Sequence, residues 1–216
     1  MIKNLIYKEI HLNINPWSYL FAAAIFLLLV PDWPFFIVPA YLYFFFMLIG
    51  QFDKTNQDLI FASLLPVPKA GIVTARTYTM VAVELAMLAL AAPVAVGRYL
   101  MYSAGNQAGM NVNLAFFGLM LVQYAVFNLI YLPGSYKQAY RMLWPILGGT
   151  LISVAVGGGL TTAVSAVPAL ATLFNDRGLG HAGDQAIVFI AGLLIYVGVA
   201  ILAHRQAVVN FAKVDL

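Results

Sequence analysis

Six apolar runs constrain the fold of this chain more than any other feature of its sequence. They cover residues 17–31, 34–50, 77–97, 113–133, 142–170 and 187–203. A helix of about 20 apolar residues crosses a bilayer core about 30 Å thick. Hydrophobic residues make up 63% of the chain and charged residues 9%, whereas soluble proteins are about half apolar and about a quarter charged. We therefore expect an all-α membrane protein with six transmembrane helices, forming one membrane domain over residues 1–216.

The basic residues predict the orientation of these spans. Six spans place both termini on one side of the membrane, and nine of the eleven basic residues then fall on that side. The nine are Lys3, Lys8, Lys54, Lys69, Arg76, Lys137, Arg141, Arg205 and Lys213, and the other two are Arg98 and Arg177. Because Lys and Arg accumulate on the cytoplasmic side, both termini are predicted to be cytoplasmic. The net charge of +3 follows from this topology, and no aromatic-interleaved basic cluster points to nucleic acid as a partner.

The sequence lacks the residues that several kinds of chemistry require. The chain has no cysteine, which excludes disulfides and thiolate metal sites. None of its six lysines follows a glycine, so no phosphate-binding P-loop is present. No H-E-x-x-H motif occurs, and His11, His181 and His204 all lie at predicted membrane borders or in loops. We expect no catalytic residue, no metal site and no bound cofactor on this chain, and therefore no enzyme.

Residues 1–15 are predicted to form an amphipathic interfacial helix before the first span. Its apolar face carries Ile2, Leu5, Ile6, Ile10 and Ile14, and its polar face carries Lys3, Asn4, Lys8 and His11. Such a helix lies on the membrane surface. It serves either as a membrane anchor or as an elbow that packs beside a partner subunit, and the sequence leaves both interpretations open.

Residues 51–70 form a charged, proline-punctuated loop between the second and third spans. Asp53 or Thr55 is predicted to cap a short helix, and Pro66 and Pro68 to end it. The apolar face of this helix is predicted to consist of Leu59, Ile60, Leu64 and Leu65. An apolar surface exposed outside the membrane usually marks a docking site, which favours a partner-binding helix over a solvated loop.

The same loop resembles the cytoplasmic loop of ABC-2 type permeases, the membrane subunits of one class of ATP-driven transporters. The residues that match are Asp53, Asn56, Ser63, Leu65, Pro66, Val67, Lys69, Ile72, Val73, Ala75 and Arg76. An extra leucine and Pro68 depart from the family pattern. The resemblance implies that residues 51–70 contain the coupling helix that docks into a separate ATPase. The residues assigned to this coupling are Asp53, Lys54, Asn56, Asp58, Leu59, Leu64, Leu65, Pro66, Val67, Pro68 and Lys69.

The resemblance also implies a function and a set of partners. Among small members of the family, the chain most resembles the bacterial permeases that export phenol-soluble modulins, which are amphipathic peptides. We therefore expect an exporter in the bacterial plasma membrane that works by alternating access. The implied partners are two ATPase subunits carrying ATP and Mg²⁺, a second permease copy or paralogue, membrane lipids and an amphipathic peptide cargo. Larger relatives have an external hairpin between the last two spans, which corresponds to residues 171–186 here.

Glu84 and a run of three glycines are further candidate functional residues. Glu84 lies inside the third span, where a carboxyl group either contributes to function or is held by a neighbouring helix. It lines a translocation path, carries a proton, or bonds to Gln123 or Asn128 of the fourth span. Gly157, Gly158 and Gly159 allow close helix packing or form a hinge. Two other functions stay open: a proton-coupled secondary transporter that uses Glu84, and a non-transporting membrane scaffold or immunity subunit.

Overall fold

The computed structural model describes residues 2–14, 16–137, 142–177 and 180–214, and this part of the chain contains helices and no strand. The described helices are α1 (Ile2–Asn13), α2 (Pro16–Leu29), α3 (Phe35–Thr55), α4 (Asp58–Leu64), α5 (Lys69–Met101), α6 (Leu114–Ser135), α7 (Leu143–Ala166), α8 (Pro168–Phe174) and α9 (Ala182–Ala212). Five of them, α3, α5, α6, α7 and α9, are long and apolar enough to cross a membrane. Helices α1 and α2 meet at an angle of 82° and together provide a sixth candidate span.

Helix α2 has few residues for a membrane span, and its 3-10 segments make it longer than an α-helix with the same number of residues. Ala23–Leu29 is wound as a 3-10 helix, as is Pro16–Ser18, with one α-helical turn between them. A 3-10 helix rises about 2.0 Å per residue, against 1.5 Å in an α-helix. The segment is therefore about 26 Å long, close to the thickness of the hydrocarbon core.

The contacts of α1, α2 and α5 define two ends of the helical bundle. At the end that we call the α4 end, Asn13 of α1 bonds to Asp58 of α4, and Lys69 at the start of α5 bonds to the carbonyl oxygen of Val214. At the opposite end, which we call the Arg98 end, the Arg98 guanidinium donates to the carbonyl oxygen of Leu28 in α2. Helix α2 therefore runs the length of the bundle, and the described residues nearest to both termini lie at the α4 end.

Helix α6 forms the centre of the bundle. It is the most buried of the candidate spans, and it packs between α7 and α9. Its side chain Phe127 stacks on Tyr43 of α3 with ring centroids 3.9 Å apart and contacts Tyr131 one turn later at 5.0 Å. Phe46 of α3 completes this buried aromatic group. The aromatic residues of the second predicted span thus include several that pack inside this chain.

Two glycines bring α6 and α9 into direct backbone contact. A Cβ atom added to Gly192 would lie 2.2 Å from the carbonyl oxygen of Gly118, and one added to Gly118 would lie 2.5 Å from that of Val188. Each glycine therefore meets the backbone of the other helix, where no side chain can move aside. Small residues at such crossings allow close helix packing within membranes.

The helix boundaries differ from the predicted ones mainly at charged residues, which the sequence predicts to lie in loops. Helix α5 begins at Lys69 and includes Arg76 and Arg98, whereas the predicted span covered only 77–97. The fifth predicted span, 142–170, ends at Ala166 because Pro168 starts the separate helix α8. Proline lacks the N–H that continues a helix, which explains this break.

The α6–α9 contact predicts a clear difference between two glycines of one helix. Gly192→Ala should lower the free energy of unfolding by about 1–3 kcal/mol, since its methyl group forces two backbones apart. Gly198→Ala is the matched control: no atom lies within 4 Å of its added Cβ, so its stability should be unchanged or slightly higher. Thermal unfolding in detergent, followed by tryptophan fluorescence, measures both variants. Equal melting temperatures for the two would contradict the close contact.

Candidate functional site

The loop predicted to dock an ATPase contains the short helix α4, held between two rigid spans. Helix α3 continues through Thr55, and Gln57 then adopts a left-handed backbone conformation with φ of 51°. Helix α4 starts at Asp58, so the prediction that Asp53 or Thr55 caps it is wrong. Both residues belong to the last turns of α3. Pro66 and Pro68 separate α4 from α5, as predicted.

One side of α4 packs against the rest of the chain and forms hydrogen bonds with it. Leu59 and Ala62 are buried, and the Asp58 carboxylate accepts hydrogen bonds from Lys8 Nζ at 2.8 and 2.6 Å. Asn13 Nδ2 donates to the same carboxylate at 3.2 Å. A carboxylate held by an ammonium and an amide of one helix has little freedom to reorient. Helix α1 therefore fixes the position of α4.

The other face of α4 is apolar and exposed. The side chains of Phe61 and Leu64 are 59% and 79% exposed, and Leu65 is 37% exposed. The predicted face of Leu59, Ile60, Leu64 and Leu65 is thus divided, because Leu59 packs inward and Leu64 points outward. We call Phe61, Leu64 and Leu65 the α4 patch. Apolar surface outside the membrane-spanning helices marks an interaction site.

The residues assigned to ATPase coupling fall into two groups. Lys54, Asn56, Leu64, Leu65, Pro66 and Pro68 are exposed, and Val67 and Lys69 are partly buried. Asp53, Asp58 and Leu59 are enclosed by this chain itself. These three residues can act on a partner through the position of α4, and their side chains offer little surface for direct contact.

A buried ion-pair cluster lies behind α4. Arg76 of α5 donates from Nε to Glu9 Oε2 at 2.6 Å and from its terminal nitrogen to Asp53 Oδ2 at 2.5 Å. The side chains of Arg76, Glu9 and Asp53 are 7%, 3% and 0% exposed, respectively. One guanidinium thus joins α1, α3 and α5. Removing one member of such a group leaves an uncompensated buried charge.

Helix α1 faces the protein with polar side chains, which sequence reasoning did not anticipate. Leu5, Glu9 and Asn13 recur every four residues and are buried, while Ile2 and Ile10 are exposed. Lys8 was assigned to the polar outer face but turns inward to Asp58. The only local signal was Glu9, a lone acid in an otherwise apolar and basic segment. Its partner Arg76 is 67 residues away, beyond the reach of any periodicity.

Glu84 joins three helices of the bundle. Its side chain is 0% exposed, and Oε2 accepts from Asn128 Nδ2 of α6 at 2.9 Å and from the Tyr196 hydroxyl of α9 at 2.5 Å. This is the interhelical bond to Asn128 that the sequence offered as one interpretation. The other suggested partner, Gln123, donates to the carbonyl oxygen of Phe36 instead.

The three candidate hinge glycines lie within an unbroken helix. Helix α7 runs from Leu143 to Ala166 without interruption. A Cβ on Gly157 would lie 2.4 Å from Gln123 Oε1, and one on Gly158 would lie 3.0 Å from the Phe36 ring. Gly159 has no atom within 4 Å of an added Cβ. Two of the glycines therefore serve close packing, and a hinge motion stays a prediction.

The predicted external hairpin, residues 171–186, lies at the Arg98 end. It includes the end of the short helix α8, then Asn175 and Asp176, and the start of α9; residues 178 and 179 are outside the described chain. Asn175 accepts from the backbone N–H of Asn111 at 2.6 Å, and the Asp176 carbonyl accepts from Asn113 Nδ2 at 3.0 Å. The segment thus ties together the loops at this end of the bundle.

Comparison with known proteins gives one match. A family model described as ABC-2 family transporter protein matches residues 4–204. No curated protein and no solved structure gives a significant match.

The ion-pair cluster predicts a strong effect of Arg76. Arg76→Gln should destabilise the protein by about 3–5 kcal/mol, because Asp53 loses its buried counter-charge and Glu9 loses the nearer of its two cations, the other being Lys8 at 3.5 Å. Arg205→Gln removes an exposed charge from α9 and should leave the melting temperature nearly unchanged. Combining Arg76→Gln with Glu9→Gln and Asp53→Asn should recover part of the loss, since no buried charge is then left unpaired. Melting temperatures in detergent test the set; no recovery in the triple variant would contradict the charge explanation.

The contacts of Glu84 predict different outcomes for two substitutions. Glu84 Oε1 and Asn128 Oδ1 are both buried without a donor. Gln at position 84 brings an N–H to this pair, so Glu84→Gln should retain the melting temperature or raise it. Glu84→Leu leaves Asn128 and Tyr196 without their acceptor and should lower the free energy of unfolding by about 1–2 kcal/mol. Loss of stability in Glu84→Gln equal to that in Glu84→Leu would contradict this role.

Proposed function

The chain belongs to the ABC-2 family of transporter proteins, and on this basis we propose that it is the permease subunit of an ATP-driven exporter. In this proposal α4 is the coupling helix, and a separate ATPase subunit receives the α4 patch in a cleft. The α4 end then faces the cytoplasm of a bacterial cell, with both termini on that side. The chain itself performs no catalysis.

The observation that carries the proposal is the division of α4 into a fixed face and a free face. Phe61 and Leu64 are exposed, while Leu59 and Ala62 are buried against the chain and Asp58 is bound by Lys8 and Asn13. A coupling element must transmit force to the membrane helices and must also bind a soluble partner. The fixed face meets the first requirement, and the apolar free face meets the second.

The ion-pair cluster supplies a route for motion from α4 into the spans. Arg76 is in the third turn of α5, which continues as one helix to Met101 at the opposite end of the bundle. A push on α4 therefore acts on α1 through Asp58, and on α5 through Glu9 and Arg76. The last turn of α3 follows through Asp53.

ATP and Mg²⁺ would bind to the ATPase, which we expect in two copies. Two permease chains, identical or paralogous, would pair around a central cavity and alternate between inward-open and outward-open states. Converting a two-state equilibrium from 1:99 to 99:1 takes about 5.5 kcal/mol of differential binding, which the ATPase pair must deliver through its two coupling helices. The proposed cargo is an amphipathic, membrane-active peptide, which rests on the resemblance to permeases that export phenol-soluble modulins.

Two other functions have less support. Proton-coupled transport needs Glu84 to exchange protons with both sides, whereas its carboxyl group is fully buried and engaged by Asn128 and Tyr196. A membrane scaffold would use the same α4 patch without moving cargo. Proteoliposomes separate the three functions: the exporter needs ATP and the ATPase, the proton-coupled transporter needs only a pH gradient, and the scaffold moves no peptide under either condition.

The α4 patch predicts the effect of placing a charge on the coupling helix. Leu64→Asp and Phe61→Asp should abolish co-purification with the partner ATPase, since each buries a carboxylate in an apolar contact. Gln51→Asp adds the same charge at an exposed position near the same end and should leave the complex intact. Leu64→Met keeps the patch apolar and should retain assembly, peptide-stimulated ATP hydrolysis and peptide export.

All four variants should show the melting temperature of the unaltered chain, because positions 51, 61 and 64 are exposed. An ATPase complex that assembles and hydrolyses ATP normally with Leu64→Asp and Phe61→Asp combined would rule out α4 as the coupling helix.

A further inference from the structure

Two arginines at the Arg98 end share one small surface cavity. Arg98 of α5 and Arg177, which follows α8, both line it. The cavity holds about 20 Å³, room for a group the size of a single oxygen atom or water. It opens to the surface of the bundle, so a larger group could place one of its oxygens there.

Arg98 and Arg177 form no ion pair within the described part of the chain, although the nearby Asp32 carboxylate attracts the charge of Arg98. The Arg98 guanidinium donates to the carbonyl oxygens of Leu28 and Val30 and lies 4.6 Å from the centre of the Phe35 ring. Arg177 donates to the carbonyl oxygens of Tyr99 and Ser103. Ion pairs within residues 2–14, 16–137, 142–177 and 180–214 join Lys8, Glu9, Asp53, Asp58, Arg76, His181 and Asp184, and neither arginine is among them.

Carbonyl groups and aromatic rings hold these two guanidinium groups in place without cancelling their charge. Two like charges beside one cavity repel each other, and an anion between them would relieve that repulsion. Guanidinium groups with a fixed orientation suit the oxygens of a phosphate group in particular.

An apolar groove of about 410 Å³ continues from this cavity along the outside of the bundle. The groove and the cavity share Ala95, Tyr99, Val112 and Arg177 as lining residues. Its walls are Ala92 and Val96 of α5, Leu114 and Phe117 of α6, and the start of α9. Two cations at one end and an apolar channel beyond them fit an amphiphile with an anionic head.

The side-chain amide N–H groups of the groove already donate to this chain, and Arg177 is the charged residue in its lining. Asn113 Nδ2 donates to the carbonyl oxygens of Phe174 and Asp176, and Gln185 Nε2 donates to that of Asp176. Arg177 is thus the residue through which the groove can recognise a charged head group.

We propose that this groove binds an anionic phospholipid of the leaflet at the Arg98 end. One acyl chain lies in the groove between α5, α6 and α9, and the phosphate oxygens lie over Arg98 and Arg177. The bound lipid bridges the end of α5 to the start of α9. Since α5 also carries Arg76 at its other end, the lipid stabilises the same helix that the ion-pair cluster holds.

The test compares two lipids on the purified full-length chain. Phosphatidylglycerol should raise the melting temperature of the detergent-solubilised protein, and phosphatidylcholine with the same acyl chains should not. Arg177→Gln should raise the phosphatidylglycerol concentration that gives half of the maximal rise in melting temperature by about tenfold or more, as expected for losing a charge-assisted contact. Arg205→Gln removes an exposed arginine from the α4 end and should retain the full effect.

A groove-filling substitution separates the acyl chain from the head group. Ala92→Trp places a large ring in the groove and should reduce the effect of phosphatidylglycerol, whereas Ala191→Trp at an exposed position of α9 should not. Native mass spectrometry should find phosphatidylglycerol retained by the unaltered chain and lost from Arg177→Gln. Should Arg177→Gln or Ala92→Trp respond like the unaltered chain, the site is wrong.

Two further outcomes would also overturn the proposal. Equal stabilisation by phosphatidylcholine would mean that the groove accepts acyl chains without regard to charge. Equal stabilisation by an amphipathic peptide with a free carboxylate, competing with phosphatidylglycerol, would assign the groove to cargo instead of lipid.

Discussion

The pairing of one buried guanidinium with two carboxylates determines the organisation of the α4 end. Arg76 contributes the buried guanidinium, Asp53 comes from the last turns of α3, and Glu9 comes from α1, where Lys8 also lies 3.5 Å from it. This cluster turns a polar face of α1 toward the bundle. Because α1 also provides Lys8 and Asn13 to Asp58, the position of α4 depends on it too. Helices α1, α3 and α5 and the short helix α4 are thus fixed by contacts among six polar side chains.

The two ends of the bundle are built differently. The α4 end is held by ion pairs, whereas the Arg98 end is held by side-chain amides and by arginines that bind carbonyl oxygens. Between them, α6 packs against α7 and α9, with Gly118 and Gly192 in backbone contact and Glu84 bonded across three helices. In the proposed mechanism, a displacement imposed at α4 reaches the opposite end through α5, which is one continuous helix from Lys69 to Met101. The proposed lipid site lies where that displacement would arrive.

The sequence predicted the spans well because apolar length is a local property. The sequence also placed the end of α4 correctly, at Pro66 and Pro68, whereas the break at Pro168 falls inside the fifth predicted span. The functional segment was harder, because its residues are paired across long distances. The resemblance assigned Asp53 to docking, and no local pattern shows that its partner is Arg76, 23 residues further along in α5. Glu9 was overlooked for the same reason. The resemblance of the α4 loop identified the family, and it could not specify which face of the helix is free.

The most direct test of the account is the accessibility of position 64 to a membrane-impermeant thiol reagent. The chain has no cysteine, so Leu64→Cys provides a single label site in the full-length protein. The account predicts that this cysteine is labelled in inside-out vesicles and not in intact cells, and that the assembled ATPase protects it. Labelling from outside the cell, or labelling that the ATPase leaves unchanged, would contradict the central claim that α4 is the coupling helix to which the ATPase binds.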